Sequence, residues 1–340
     1  MGKRVTLKQI AQEVGVSVMT VSRALNNHSN VDERTRQRIL HTARRLGYTP
    51  NHIAKSLVLK KTFTIGVVVP EITHSFFPEV IRGIEEVAYD AGYQLILTHS
   101  AEDFERELKA IQTLEAKRVD GILISTAQTV TDYDGYRRLI ELNYPIVFYD
   151  RCVEGIGASC VSINDEESAE AITQHLLDHG YRAIAHLCGP QKVSIGRARL
   201  AGFRKALQGA QLPVREEWIV ESGFHEKGGY IAMKRLLQPS RSGPPRAVVA
   251  VNDPAAFGAM QAIQEAGLRI PEDIAIVGFS DDIRAGLMPA PLTTVRQPAY
   301  EVGRRAARKL IDIIEEKNTA IEEIVVHTEI VIRRSCGCQQ

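Results

Sequence analysis

Thr6–Leu25, TLKQIAQEVGVSVMTVSRAL, decides how the rest of the chain is read. Leu7, Ile10, Ala11 and Val14 fall at i, i+3, i+4 and i+7, one apolar stripe at helical period. Thr6 precedes the stripe with Gln9 three residues on, the spacing of a capping box. Gly15 supplies the positive φ at which such a helix stops. Ser17 then caps a second helix whose Val21, Ala24 and Leu25 face the first, which leaves Val18, Met19, Ser22 and Arg23 on the open side. Arginine can bond guanine O6 and N7, small apolar groups meet thymine methyls, and hydroxyls such as those of Thr20 and Ser22 suit phosphate oxygens. The spacing therefore predicts a helix-turn-helix whose second helix reads the major groove of DNA. A plain helical hairpin would show the same spacing, and charge separates the two readings.

The 340 residues hold 42 Lys and Arg against 41 Asp and Glu, a near-neutral total that hides a strong asymmetry. Residues 1–61 carry 12 basic and 3 acidic side chains, a charge of +9, so residues 62–340 carry 30 and 38, or −8. A basic head on an acidic body is what a polyanion reader needs, because neutralised phosphates release counterions and supply most of the non-specific affinity.

Asp32 is placed to cap a third helix running to about Leu46, with Ile39, Leu40, Ala43 and Leu46 on its apolar face and Gly47 ending it. Residues 1–50 thus form a minimal three-helix head. Ile53, Ala54, Leu57 and Val58 share one side of the next short segment, 51–61, which is too short to hold helix alone in water. It reads either as a flexible linker or as a hinge helix that orders on DNA beside its symmetry mate. In the second case Leu57 wedges into the minor groove.

From Thr64 onward, short buried β runs alternate with amphipathic helices, which predicts parallel sheets with helices on both faces. Strands at Ile65–Val69, Gln94–Thr98, Gly121–Ile124 and Ile146–Tyr149 make one α/β series. Those at Ala183–Leu187, Trp218–Glu221, Ala247–Val251 and Ile274–Gly278 make a second, so residues 62–340 are expected to form two lobes with a cleft between them. No apolar run approaches the length of a bilayer span and residues 1–20 lack a signal-peptide core, so a cytoplasmic location is expected. In a reducing compartment Cys152, Cys160 and Cys188 read as buried small hydrophobes. Cys336 and Cys338 form a C-x-C with neither a second pair nor a suitably spaced histidine, so no metal is assigned to them.

At this point the chain resembles the lactose-repressor-like (LacI/GalR) transcription regulators over nearly its whole length. The likeness is carried by the head TLKQIAQEVGVSVMTVSRALNN, RRLGYTPN at 44–51, AKSL at 54–57, RVDGILI at 118–124, GRARLAGF at 196–203, AVND at 250–253, DIAIVGFSDD at 273–282 and PLTTVRQP at 291–298. It implies a symmetric homodimer whose heads occupy the halves of a near-palindromic double-stranded operator. A small molecule, a carbohydrate or related metabolite, would set the affinity from between two lobes of periplasmic-binding-protein type. By position, Val18, Met19 and Arg23 would read bases, Thr6, Ser17, Thr20, Ser22 and Asn26 would contact the DNA backbone, and Leu57 matches the minor-groove leucine. The lobes would comprise about 62–161 with 293–324, and about 162–290 with 325–336.

The resemblance also places Phe76, Asp150, Arg199, Phe224, Asn252 and Gln297 in the cleft, where carboxylate, amide and guanidinium groups can bond hydroxyl pairs and aromatic faces can stack on a sugar ring. Asn252 and Asp253 could equally cap the helix that begins at Pro254. Many relatives carry an aspartate directly after GF or GY. Here Ser280 stands there, followed by Asp281 and Asp282, and Asp281 is expected to take the hydroxyl contact. Val193, Ser194 and Ile195 make the entry side less polar than in purine-binding relatives. No cofactor is expected: Gly155-Ile156-Gly157 lacks the third glycine of a dinucleotide fingerprint, and there is neither a P-loop nor a nucleophile elbow. An enzyme is therefore not expected, and an exported solute-binding protein gains nothing from a +9 head. The absence of leucine heptads after the last strand points to a dimer, not a tetramer.

Overall fold

A computed structural model describes residues 5–26, 28–48, 61–239 and 243–338. It separates into a unit within 1–62 and a unit of 63–340. The first holds α1 (Leu7–Val14), α2 (Val18–Leu25) and α3 (Glu33–Arg45). Thr6 closes the capping box on Gln9, and Gly15 ends α1 at φ 73°. Ser17 and Asp32 cap α2 and α3 by accepting from the amides of Thr20 and Thr35. Ile10, Val21 and Ile39, one from each helix, are fully buried at the centre of this head. The 51–61 segment, with Leu57, lies outside the described residues apart from Lys61.

The second unit has two six-stranded sheets. The first is ordered β11-β5-β4-β3-β1-β2 and is parallel throughout. Its strands are β1 (Thr64–Val69), β2 (Gln94–His99), β3 (Gly121–Ile124), β4 (Ile146–Tyr149), β5 (Ser159–Ile163) and β11 (Glu323–Val326). The second, β12-β10-β9-β8-β6-β7, repeats the plan with an antiparallel last strand. It comprises β6 (Ile184–Cys188), β7 (Ile219–Glu221), β8 (Ala247–Ala250), β9 (Ala275–Ser280), β10 (Thr293–Arg296) and β12 (Glu329–Val331). Central strands such as Ile122–Ile124 and Ile276–Val277 are wholly buried because helices cover both faces.

Lobe 1 carries α4 (Phe76–Asp90), α5 (Phe104–Ala116), α6 (Asp134–Glu141) and α11 (Ala299–Ile314); lobe 2 carries α7 (Asp165–Asp178), α8 (Ser194–Gly209), α9 (Glu226–Leu236) and α10 (Asp253–Glu265). In lobe 1 α11 packs on α4 through Gly83 and Gly303, where an added Cβ would fall 2.1 and 2.0 Å from carbonyl oxygens of the facing helix. Only glycine allows that approach. No helix among the described residues is long and apolar enough to cross a membrane.

Two expectations need correction. Thr293–Arg296 pairs with β9, so it belongs to lobe 2 and the chain crosses back at about Gln297 instead of before 293. The strand β5, whose alternating Ser-Cys-Val-Ser-Ile lacks the continuous apolar run of β3 and β4, puts the first crossover at Asn164, and the last falls at 327–328, after β11. Cys152 and Cys160 are not independent buried thiols: the loop leaving β4 turns back beside β5 and joins them in a disulfide. Cys188 is a buried free thiol.

Candidate effector cleft and DNA-reading face

Every residue lining the cleft between the lobes stands at or beyond the carboxyl end of a strand or at the start of the helix that follows, where open parallel sheets bind ligands. Lobe 1 contributes Glu71, His74, Phe76 and Phe77 after β1, Glu102 after β2, and Asp150 and Arg151 after β4. Lobe 2 contributes Ile195 and Arg199 on α8, Phe224 and His225 after β7, Asn252 after β8, and Ser280 and Asp282 around the end of β9. Gln297 enters from the crossover. The space free to water-sized molecules is about 50 Å³, room for a few waters.

Asp150 sits at φ 59°, and its carboxylate accepts no hydrogen bond from any described residue; the nearest cation, Arg151 Nε, is 3.7 Å away. Burial raises its pKa to about 6, only partly offset by the positive charges of Arg151 and Arg199. Gln297 is buried too, and its Nε2 finds no partner. These are an open acceptor and an open donor on one cleft wall and its crossover.

The two arginines of the cleft are buried and anchored. Arg151 bonds Glu102 through Nη1 at 2.7 Å and Nη2 at 2.8 Å, donates to the Thr126 carbonyl, and lies 4.4 Å from the ring of Phe224 in the other lobe. Burial pushes the Glu102 pKa up, but the charge and hydrogen bonds of Arg151 outweigh it and leave the pKa lowered. Arg199 donates from Nε to Asp165 at 2.7 Å and from Nη1 to the Val251 carbonyl at 2.6 Å, with its guanidinium 3.7 Å from the ring centre of Phe279. No described residue bonds its Nη2.

Asn252 is both things the sequence allowed. It lines the cleft, and its Oδ1 caps α10 by accepting from Ala255 N at 3.0 Å while Nδ2 donates to the Phe224 carbonyl at 2.9 Å, so each polar atom is anchored by one hydrogen bond. Asp253 is fully buried and accepts from Thr294 Oγ1 and the amide of Asp282. Asp281 lies off the cleft lining. Ser280 and Asp281 take φ of 129° and 56°, which breaks strand alternation and turns Asp281 away from the cleft lining. Its carboxylate is held by Arg296 Nε and Arg333 Nη2, both at 2.7 Å. Ser280 and Asp282 line the cleft instead, and Asp282 is itself tied to Arg284 at 2.8 Å.

The remaining residues were not singled out in sequence. His74 Nε2 stands 3.3 Å from Glu226 Oε2, and His225 Nδ1 stands 3.8 Å from Glu71 Oε2, two ion-pair positions that span the lobes. Glu102 and Arg151 could have been suspected only as charges at strand ends, a signal shared with many solvated loops.

On the head, Val18 and Met19 are 44% and 62% exposed although apolar, at the first turn of α2. Arg23 is exposed and makes no ion pair with a described residue. Ser17 and Thr20 hydroxyls are 2.8 Å apart, and Asn26 Nδ2 donates to the Ser22 carbonyl. Thr6 bonds Gln9. These capping contacts leave the N-terminal amides of α1 and α2 and their hydroxyls on exposed turns, an arrangement that can hold phosphate oxygens.

Residues 6–51 match the description "Bacterial regulatory proteins, lacI family", and residues 173–336 match a periplasmic binding protein-like domain. The ribose operon repressor of Haemophilus influenzae is 34% identical over 332 residues, which cover 97% of this chain and 98% of the relative. The chain belongs to the LacI family. The transcriptional repressor PurR of Mannheimia succiniciproducens is also 34% identical, over 97% of this chain and 98% of its own. The crystal structure of the lac repressor dimer bound to operator and the anti-inducer ONPF superposes with a TM-score of 0.88 at 27% identity, covering 98% of this chain and 99% of that one. This LacI-family chain is thus a DNA-binding transcriptional regulator and not an enzyme.

Proposed function

We propose that the protein is a repressor of carbohydrate-utilisation genes whose operator affinity is set by a small sugar or sugar-derived effector bound between the lobes. The observation that carries this is the buried Asp150 carboxylate without a hydrogen-bond donor, in the same cleft as the unpartnered Gln297 Nε2 and the spare Nη2 of Arg199. Paired acceptors and donors beside Phe76 and Phe224 suit a polyol with an apolar face. One relative is named for a ribose operon. Val193 and Ile195 at the entry are apolar and buried.

Two copies, each with one head, would occupy the halves of a near-palindromic operator. Val18, Met19 and Arg23 would contact base edges, and Thr6, Ser17, Thr20, Ser22 and Asn26 the phosphates. Leu57 would enter the minor groove. The effector shifts occupancy only as far as its affinity differs between lobe arrangements, a coupling of about 1 to 3 kcal/mol or roughly 5- to 150-fold.

Retardation of operator fragments, with sugars, sugar phosphates and purine bases added in parallel, tests the reading. One sugar class should change operator affinity at least fivefold, by about the factor set by a 1 kcal/mol coupling. A response to purines alone, or to none, would overturn it. In the same assay Arg23→Ala should cost about 1 to 3 kcal/mol at one operator position and leave non-specific binding nearly intact. Equal losses on all sequences would assign Arg23 to phosphate.

A further inference from the structure

In sequence the C-x-C at Cys336 and Cys338 stands alone, but the fold brings two histidines beside Cys338 from the far end of α7, of which His175 also clusters with Cys336. His175 is in the last turn of α7 and His179 follows at i+4, so both imidazoles project from one helix face. Cys338 Sγ lies 3.0 Å from His179 Nε2 and 3.5 Å from His175 Nε2, and Cys336 Sγ lies 3.1 Å from Cys338 Sγ. The ligand atoms of His175, Cys336 and Cys338 all fall within 4.8 Å of one another.

Bonds of about 2.3 Å to sulfur and 2.0 Å to nitrogen put the corners of a tetrahedral zinc site roughly 3.3 to 3.8 Å apart. The three spacings that Cys338 makes are close to that, whereas His179 meets the set through Cys338 alone, so bringing its Nε2 to a shared metal takes a side-chain adjustment. Supporting contacts are also in place. His179 Nδ1 is 2.8 Å from the His175 carbonyl, which fixes Nε2 as the nitrogen turned to the cysteines. Thr293 Oγ1 reaches Cys336 Sγ at 3.1 Å. Gly337 at φ 91° folds the two thiols toward one point.

We propose that His175, His179, Cys336 and Cys338 form a structural site for a tetrahedral, borderline-soft divalent metal of the zinc class. Four protein ligands leave no open position, so the metal clamps and does not catalyse. What it clamps is the C-terminal tail, whose Ser335 already bonds the Ile276 carbonyl and the Thr293 amide across the second sheet, onto the helix whose first residue, Asp165, holds the cleft arginine Arg199. Binding requires both thiols to be deprotonated, so it releases protons and tightens as pH rises.

The test uses the full chain purified under reductant and freed of metal by chelation. Co(II) should bind one per chain, with the visible ligand-field bands and thiolate charge-transfer absorption of a tetrahedral sulfur-ligated site, and Zn(II) should displace it. Zn(II) should raise the Tm, and chelator should reverse the rise. Cys338→Ser should weaken binding about 100-fold or more and His179→Ala about tenfold or more, as expected when one of four ligands is removed. His179 is exposed, so its variant should fold normally and keep operator binding, which separates ligand loss from misfolding. Absence of stoichiometric Co(II), equal affinity in the His179 variant, or a Cys336–Cys338 disulfide that forms despite the reductant would each overturn the assignment.

Discussion

Both lobes follow one strand plan and each delivers a buried arginine and a carboxylate to the cleft, yet the groups left open differ. In lobe 1 the two terminal nitrogens of Arg151 are taken by Glu102 and the Thr126 carbonyl and only its buried Nε lacks a partner, while the Asp150 carboxylate 3.7 Å from that Nε has no hydrogen-bond donor. In lobe 2 Asp282 is consumed by Arg284, while Arg199 keeps one nitrogen unbonded. One wall therefore offers an acceptor and the other a donor. A hydroxylated ligand that donates to the first and accepts from the second would hold the lobes together, which gives closure a chemical cause.

The largest effect should come from the buried Arg151–Glu102 pair. Arg151→Ala leaves Glu102 buried and unpaired and should cost about 3 to 5 kcal/mol in chemical denaturation, whereas replacing both by Met and Leu should recover most of it. An Arg151→Ala variant of wild-type stability would mean that the pair is not buried in solution. Asp150→Asn comes next. The folded pKa of Asp150 is raised from 3.8 to about 6, so its contribution is complete below about pH 4 and is lost as pH climbs through 6. At pH 7.5 the wild type should be less stable than Asp150→Asn by an amount on the order of 3 kcal/mol, with the two equal near pH 3.5. The same variant should lose effector response; parallel stability curves would remove the open carboxylate from the account.

Arg199→Lys keeps a cation for Asp165 but loses the planar fork, and should weaken the effector about tenfold, or about 1.4 kcal/mol, with smaller loss of fold stability. An unchanged effector affinity would shift the donor role to Gln297. The smallest effect belongs to Asp281→Asn. The amide keeps an acceptor oxygen for its two partners, of which Arg296 is half exposed and Arg333 one-fifth exposed, so calorimetry should register about 1 kcal/mol, and the effector response should persist. A lost response would return Asp281 to the cleft.

How much of this was legible depended on distance along the chain. The Thr6–Gln9 capping box, the stop at Gly15 and the apolar stripes of α1 to α3 each lie within one or two helical turns, so the residues that cause them can be read together. The same holds for the buried runs of β1, β3 and β4. Phe76, Asp150, Arg199, Phe224, Asn252 and Gln297 could be named because each sits in a motif of the resemblance, and they meet around one cleft. Asp281 misled because two left-handed residues at the end of β9 reverse which side chain faces inward, and no local pattern announces that reversal.

The sequence by itself determined that a cationic three-helix reader precedes two parallel α/β lobes, because helical period, capping spacing and charge segregation act over short stretches. Tertiary structure alone decided which strand joins which sheet, that Cys152 meets Cys160, that Glu102 pairs with Arg151, and that His175 and His179 reach a tail some 160 residues away. Those outcomes depend on where the chain crosses between lobes, and a crossover places residues by the packing of whole helices and sheets instead of by their neighbours in sequence.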